Sequence, residues 1–175
     1  MFRRKKKKPA LEPPEVFTYD QNTLVSCINR HYELLIAMGH IHPAAIQSPP
    51  TSEGWSDLEL NVEALRALGR SEGVIELLRH LPYPRAGPPG SDQANDDATV
   101  LNETMALSYL RDRWRPEEHG DEKWFEQPPC HLALAPFDGP MPPHLISLTR
   151  EEAVEVGTVW VIDTERGMAQ CTAVQ

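Results

Sequence analysis

The side chains of this chain that could bind a metal or carry nucleophilic catalysis are its seven histidines and three cysteines. His40 and His42 form a His-x-His pair, and Cys130 directly precedes His131. A zinc site needs three or four converging ligands, usually with short recurring spacings such as Cys-x-x-Cys or His-Glu-x-x-His, and neither occurs here. The spacing of these residues therefore does not predict a metal site. The candidate ligands, if a metal is bound, are His40, His42 and His131.

The other catalytic signatures are missing from the sequence. It contains no Gly-x-Ser-x-Gly elbow, no Gly-x-Gly-x-x-Gly turn and no phosphate-binding Gly-Lys-Ser or Gly-Lys-Thr. Acidic pairs such as Glu117-Glu118 lie in polar stretches, which is typical of solvated charge. Asp163 ends an apolar stretch before a turn, where a carboxylate commonly accepts hydrogen bonds from the following backbone amides. We therefore expect no catalytic residue and no cofactor.

Charge is distributed unevenly along the chain. The net charge is −9, but six of the 17 basic residues lie in one run near the start, so the remainder has 11 basic and 26 acidic residues, a net charge of −15. An acidic body disfavours nucleic acid as a partner. The basic run is a candidate nuclear-import signal, the kind of segment that importin binds, and it consists of Arg3, Arg4, Lys5, Lys6, Lys7 and Lys8.

The cysteines and the hydropathy indicate in which cellular compartment the protein is expected. Three widely spaced cysteines without a Cys-x-x-Cys pair favour a reducing intracellular environment, with Cys27 and Cys171 as small buried apolar side chains. No stretch of eighteen apolar residues occurs, so we expect no membrane association. The expected location is intracellular, either cytoplasmic or nuclear.

Apolar periodicity predicts the secondary structure. Residues 1–15 form a basic, proline-rich arm that we expect to be disordered, and residues 16–175 form one domain with a mobile loop at about 84–97. Apolar residues at helical spacing predict helices near residues 24–38, 58–68, 74–81 and 100–114. The first is expected to be buried on much of its circumference.

Short strands are predicted later in the chain, at residues 131–135 and 144–149 and in a closing hairpin at 157–174. Both faces of the first hairpin strand are apolar, so it is expected to be central in its sheet. Helices first and strands last predict an α+β fold, with short helices in the N-terminal two-thirds packed on a small, mainly antiparallel C-terminal sheet.

Two stretches of the sequence resemble parts of known protein families. Residues 65–83, which contain Leu-Arg-His-Leu-Pro-Tyr, and the closing strands with Gly-Thr-Val-Trp-Val-Ile-Asp resemble parts of an uncharacterised fungal protein family. They also resemble, more distantly, the SUKH superfamily, which includes a cell-wall synthesis regulator and toxin-immunity proteins. That resemblance implies an α+β domain that binds other proteins, and it implies no catalytic residue.

These observations favour a non-enzymatic protein-interaction module whose partner is an unidentified protein. One alternative is a small metal-dependent hydrolase that uses a His/Cys cluster. Another is a nuclear accessory protein that acts through its basic arm.

Overall fold

The computed structural model describes residues 19–113, 141–151 and 157–173, without the side chains of 168–173. Within them the fold is α+β, as predicted: most helical residues come first and the longest strands last. The helices are α1 (Gln21–Ala37), α2 (Val62–Ala67) and α3 (Glu72–His80), with short 3₁₀ turns at Pro43–Ala45 and Arg111–Arg113. The basic arm and the strand expected at 131–135 lie outside the described residues.

The described strands form three small antiparallel sheets, ordered β1-β2, β3-β4-β6 and β5-β7-β8. β7 is central in the last sheet, which confirms the expectation for the doubly apolar strand of the closing hairpin. The strands are β1 (Ile46–Gln47), β2 (Tyr83–Pro84), β3 (Thr99–Leu101), β4 (Thr104–Ala106), β5 (Leu145–Ser147), β6 (Thr149–Glu151), β7 (Thr158–Asp163) and β8 (Met168–Ala173).

Polar side chains that cap the backbone account for where α1 and α3 begin. The Asp20 carboxylate accepts a hydrogen bond from the Asn22 N–H at the start of α1, and the Ser71 hydroxyl accepts one from the Val74 N–H at the start of α3. The apolar faces of α1 and α3 then meet the sheets in a common core. That core includes Ile28, Tyr32, Leu35, Val74, Leu77, Leu78, Val100, Leu107, Ile146 and Ile162.

The helix predicted at residues 100–114 is wrong, because β3 and β4 form a hairpin there. Val100 and Leu107 have helical spacing, but the β-branched Thr99, Val100 and Thr104 favour extended backbone. Glu103, in the turn of this hairpin, has a φ of 51°, which a helix does not contain. Pairing of β4 with β6 then supplies tertiary hydrogen bonds that override the helical pattern.

Two further expectations need correction. The strand predicted at 144–149 is interrupted at Leu148: β5 pairs with β7, whereas β6 pairs with β4, so this segment links two sheets. The thiol-bearing Cys27 is exposed on α1, and so are Leu34 and Met38, because only part of the helix circumference faces the core. The side chain of Cys171 lies outside the described set.

Residues 84–97 form a series of turns between two paired residues. Arg85 and Asp97 make an isolated antiparallel bridge, and the Ala86 N–H donates to the Asp96 carbonyl at 3.1 Å. The two ends of the segment are therefore held together, and the mobility expected of the loop between them stays a prediction.

A single buried cation fixes the connection between α2 and α3 to the segment before β5. The Arg70 guanidinium donates five hydrogen bonds to the carbonyls of Leu68, Met141, Pro142 and Leu145, at 2.6–3.2 Å. The Ser71 N–H adds a bond to the Pro143 carbonyl at 2.8 Å. Because all five guanidinium hydrogens have acceptors, Arg70 is satisfied without a carboxylate partner.

Asp163 has the turn role that the sequence predicts. Its Oδ1 accepts hydrogen bonds from the backbone N–H groups of Glu165 and Arg166, each at 2.9 Å. We expect Asp163→Ala to lower the free energy of unfolding by about 1–2 kcal/mol, because two amides in the β7–β8 turn lose their acceptor. Denaturant unfolding followed by tryptophan fluorescence measures the change. Asp163→Asn keeps the acceptor and serves as the control; equal losses in both variants would contradict this role.

Candidate functional site

The strongest candidate for a functional site among the described residues is an apolar groove between the end of α1 and the β3–β4 hairpin. Among the described residues, four large apolar side chains are more than a third exposed: Leu34 (48%), Met38 (71%), Leu58 (77%) and Leu101 (39%). Met38 and Leu101 line the same groove, which has a volume of about 640 Å³. Leu34 lies one helical turn before Met38 and extends the apolar surface along α1.

The end of α1 places Met38 on one wall of this groove, which we call the α1–hairpin groove. Gly39 has a φ of 71°, its N–H donates to the Ile36 carbonyl, and the His40 N–H donates to the Leu35 carbonyl, each at 2.9 Å. This is the paired hydrogen-bond pattern of a Schellman motif, and glycine at its left-handed position avoids steric strain. The motif ends α1 at Met38, whose side chain is 71% exposed and lines the groove.

The hairpin forms the opposite wall. Leu101 ends β3, and Asn102 and Glu103 form the turn that borders the groove. The two walls are joined by His40, whose Nε2–H donates to the Thr99 carbonyl at 2.9 Å. The floor consists of the buried side chains of Leu35 and Val100. An apolar floor with one charged residue, Glu103, on its border suits an apolar ligand that carries positive charge.

His31 lies on the core side of α1, between the helix and the sheets. Its ring packs edge-on against Trp160, with centroids 5.1 Å apart, and its Nε2 is buried without a hydrogen-bond partner among the described residues. Burial lowers the pKa of His31, and a backbone hydrogen bond with Val100 opposes this in part. The neutral imidazole is therefore the form that the folded chain favours.

This burial makes stability depend on pH. A folded-state pKa below the unfolded value of 6.5 gives a stabilisation that is present above pH 6.5 and is lost as the pH falls through the folded pKa. We expect the free energy of unfolding to fall as the pH is lowered below 6.5, and His31→Phe to flatten this part of the profile. Denaturant unfolding at several pH values measures it; an unchanged slope in His31→Phe would show that other groups cause the fall.

The two candidate metal ligands that the structure describes, His40 and His42, each have a different hydrogen-bond partner. His40 binds the Thr99 carbonyl, and the Nδ1 of His42 accepts from the Ala44 N–H at 3.1 Å, where it begins the 3₁₀ turn. His131 lies outside the described residues, as does Cys130. Over residues 19–113, 141–151 and 157–173, no three His, Cys, Asp or Glu side chains are placed to hold one metal ion. The structural roles of His40 and His42 account for the His-x-His pair.

Local sequence patterns do not predict the α1–hairpin groove. Met38 belongs to the helical apolar pattern and was expected to face the core, and Leu101 fell within the helix expected at 100–114. Gly39 indicates where α1 ends, but no local pattern indicates that the Met38 side chain beside it is exposed. The second wall depends on pairing between β4 and β6, some 45 residues apart in sequence.

Comparison with protein-family models, with curated proteins and with solved structures yields no match to this chain. None of the described helices has both the length and the apolar character needed to cross a bilayer. The functional assignment therefore depends on the groove and its surroundings.

Proposed function

We propose that this chain is a non-enzymatic protein-interaction module that binds a partner protein in the α1–hairpin groove. The observation that carries the proposal is the pair of exposed apolar side chains, Met38 and Leu101, on opposite walls of one groove. Contiguous apolar surface bordered by polar residues is characteristic of interaction sites. The resemblance to the SUKH superfamily, whose members bind other proteins, supports the same proposal.

Insertion of apolar side chains of a partner into the α1–hairpin groove is energetically favourable. Fully burying a Met or Leu side chain contributes about 1.5–3 kcal/mol, so covering both walls supplies a useful share of a micromolar affinity. The unbranched Met38 side chain has several rotatable bonds and adapts to the shape of what it meets. The floor needs no rearrangement, because Leu35 and Val100 are already packed in the core.

The geometry favours side-chain insertion over addition of a partner strand. β3 is an edge strand of its sheet, but the carbonyl of Thr99 already accepts a hydrogen bond from His40. Strand addition depends on free backbone groups along an edge. A helix laid in the groove instead uses apolar side chains at positions i and i+4, which match two apolar walls.

Charge defines the chemistry of the partner segment. Outside the basic run at residues 3–8, the chain carries a net charge of −15, and the Glu103 carboxylate borders the groove. Opposite charge steers association and excludes wrong partners. The proposed occupant is therefore a basic amphipathic helix of a partner protein, with apolar side chains against Met38 and Leu101 and a cation near Glu103.

Comparative capture from the source cells tests this function. Leu101→Asp places a charge in the groove, and Leu58→Asp, at an exposed leucine that lines a different cavity, is the matched control. We expect one protein to be retained by the wild type and by Leu58→Asp but not by Leu101→Asp. Its binding segment is expected to map to a basic amphipathic helix. Equal retention by both variants, or a binding segment that is acidic, would reject it.

The basic run at residues 3–8 is proposed to direct part of the protein to the nucleus through importin. Six cations on consecutive residues supply the charge density that such recognition needs. Replacing all six with alanine is expected to lower the nuclear fraction of a fluorescent fusion severalfold, while partner binding in the groove is unchanged. Replacing Arg66 and Arg111, which lie outside the run, with alanine is the control. An unchanged distribution would contradict the import role.

A further inference from the structure

We propose that acidic pH opens the α1–hairpin groove and releases its ligand, with His31 as the group that takes up the proton. This inference rests on the proposed function of the groove and adds a regulation to it. Two imidazoles, one on α1 and one just after it, hold β3 against the helix. The Nε2–H of His40 donates to the Thr99 carbonyl at 2.9 Å, and His31 forms a hydrogen bond with the backbone of Val100. Val100 also supplies part of the groove floor.

The His31 ring has a hydrogen-bond partner for only one of its nitrogens among the described residues. The ring packs edge-on against Trp160 of β7, with centroids 5.1 Å apart, and its Nε2 is buried and unpartnered there. Nδ1 is therefore the nitrogen that bonds Val100, and the neutral ring carries no second N–H. Protonation adds an N–H and a charge at Nε2. A buried charged donor without an acceptor is strongly unfavourable, so the closed arrangement disfavours the protonated ring.

The elements packed against this imidazole supply no counter-ion. Neither β3 nor β8 contains Asp, Glu, Lys, Arg or His. Asp163 is the one charged residue of β7, and it lies three positions from Trp160, on the opposite face of the strand. On α1, Arg30 and Glu33 pair with each other and are largely exposed, while burial raises the pKa of Tyr32 and keeps it neutral. A positive charge on the ring therefore has no partner among these groups.

Separation of α1 from β3 gives the protonated ring access to water. Burial lowers the pKa of His31, so the ring takes up a proton only as the pH falls below 6.5. Leu35, one turn after His31, and Val100 form the groove floor, so this separation divides the floor and moves the walls apart. The Nε2–H of His40 donates in both protonation states and does not respond in this way. Protons favour the open form and a ligand that contacts both walls favours the closed form, so the affinity falls with the pH.

A nuclear magnetic resonance titration of the free, full-length chain tests the opening without a partner. It follows the His31 ring protons and the Met38 methyl group from about pH 8 to about pH 5. We expect the Met38 signal to move with the midpoint of the His31 ring, and His31→Phe to remove the movement that has this midpoint. His40→Gln is the matched control, because it removes the imidazole nearest to Met38 in sequence and keeps an N–H donor for the Thr99 carbonyl. It is expected to retain the response.

If His31→Phe fails to fold, the comparison of midpoints in His40→Gln decides the question. A Met38 signal that stays in place, or that moves with a midpoint other than that of the His31 ring, would overturn the proposal. So would a response that persists in His31→Phe or disappears in His40→Gln.

Calorimetry measures the effect on the ligand, with the basic amphipathic segment mapped by capture as the probe. Between about pH 7.5 and about pH 5.5, the affinity is expected to fall about tenfold in the wild type and in His40→Gln, and less than about twofold in His31→Phe. Binding that is lost in Leu101→Asp but does not depend on pH would reject the acid response and leave the proposed function intact. If no segment binds the groove, the proposed function fails, and the titration of the free chain still decides whether acid opens the groove.

Discussion

Arg70→Met is expected to lower the free energy of unfolding by about 3–5 kcal/mol, among the largest single-residue effects in this chain. Arg70 is buried, and its five hydrogen bonds connect the turn between α2 and α3 to residues 141–145. Methionine fills a similar volume but leaves four carbonyls without this donor. Each buried carbonyl without a partner costs about 1 kcal/mol or more, and local adjustment recovers part of the sum.

Denaturant unfolding followed by tryptophan fluorescence measures this loss. Arg70→Lys keeps the charge but has three donors instead of five, so an intermediate loss is expected. Arg66→Met is the matched control: Arg66 is an exposed arginine on α2 that pairs with Glu72, and ion pairs exposed to solvent contribute little to stability. Similar losses in Arg70→Met and Arg66→Met would contradict the structural role assigned to Arg70.

Met38→Asp is expected to weaken binding of the partner by about 100-fold, or roughly 2.7 kcal/mol. The variant removes apolar contact area from one wall of the groove and requires a carboxylate to be desolvated when a partner covers it. Because Met38 is 71% exposed in the free chain, its replacement is expected to leave the unfolding free energy nearly unchanged. Loss of binding without loss of stability is the combination that identifies an interaction residue.

Titration of the purified partner segment into each variant measures the affinity. Leu58→Asp introduces the same charge at an even more exposed apolar residue outside the groove, and its affinity is expected to equal that of the wild type. Met38→Leu keeps the apolar wall and is expected to lose little. Retention of wild-type affinity by Met38→Asp would place the binding site elsewhere.

Much of the helical framework and the closing hairpin could be predicted from the sequence because their determinants are local. Ser71 begins α3 and Gly39 ends α1, and each lies next to an apolar repeat of helical period. The turn role of Asp163 follows from its place between an apolar strand and Gly167. In these segments, capping, periodicity and turn chemistry all favour the same structure.

The β3–β4 hairpin and the α1–hairpin groove could not be predicted in this way. Val100 and Leu107 fit a helix as well as a strand, and the decision depends on pairing with β6, which is distant in sequence. The exposure of Met38 likewise depends on where the hairpin packs against α1. The groove was missed because it consists of residues that local patterns assign to the core or to the wrong element.

Nuclear magnetic resonance of the methionine methyl groups during titration with the partner segment tests the proposed function most directly. Met38 lies in the groove and Met141 is buried in the core, so one chain provides both the probe and its control. We expect the Met38 methyl signal to shift in a saturable manner, with the affinity measured by calorimetry, while the Met141 signal stays in place. Saturation of binding with no change at Met38 would contradict the claim that this chain recognises its partner through the groove.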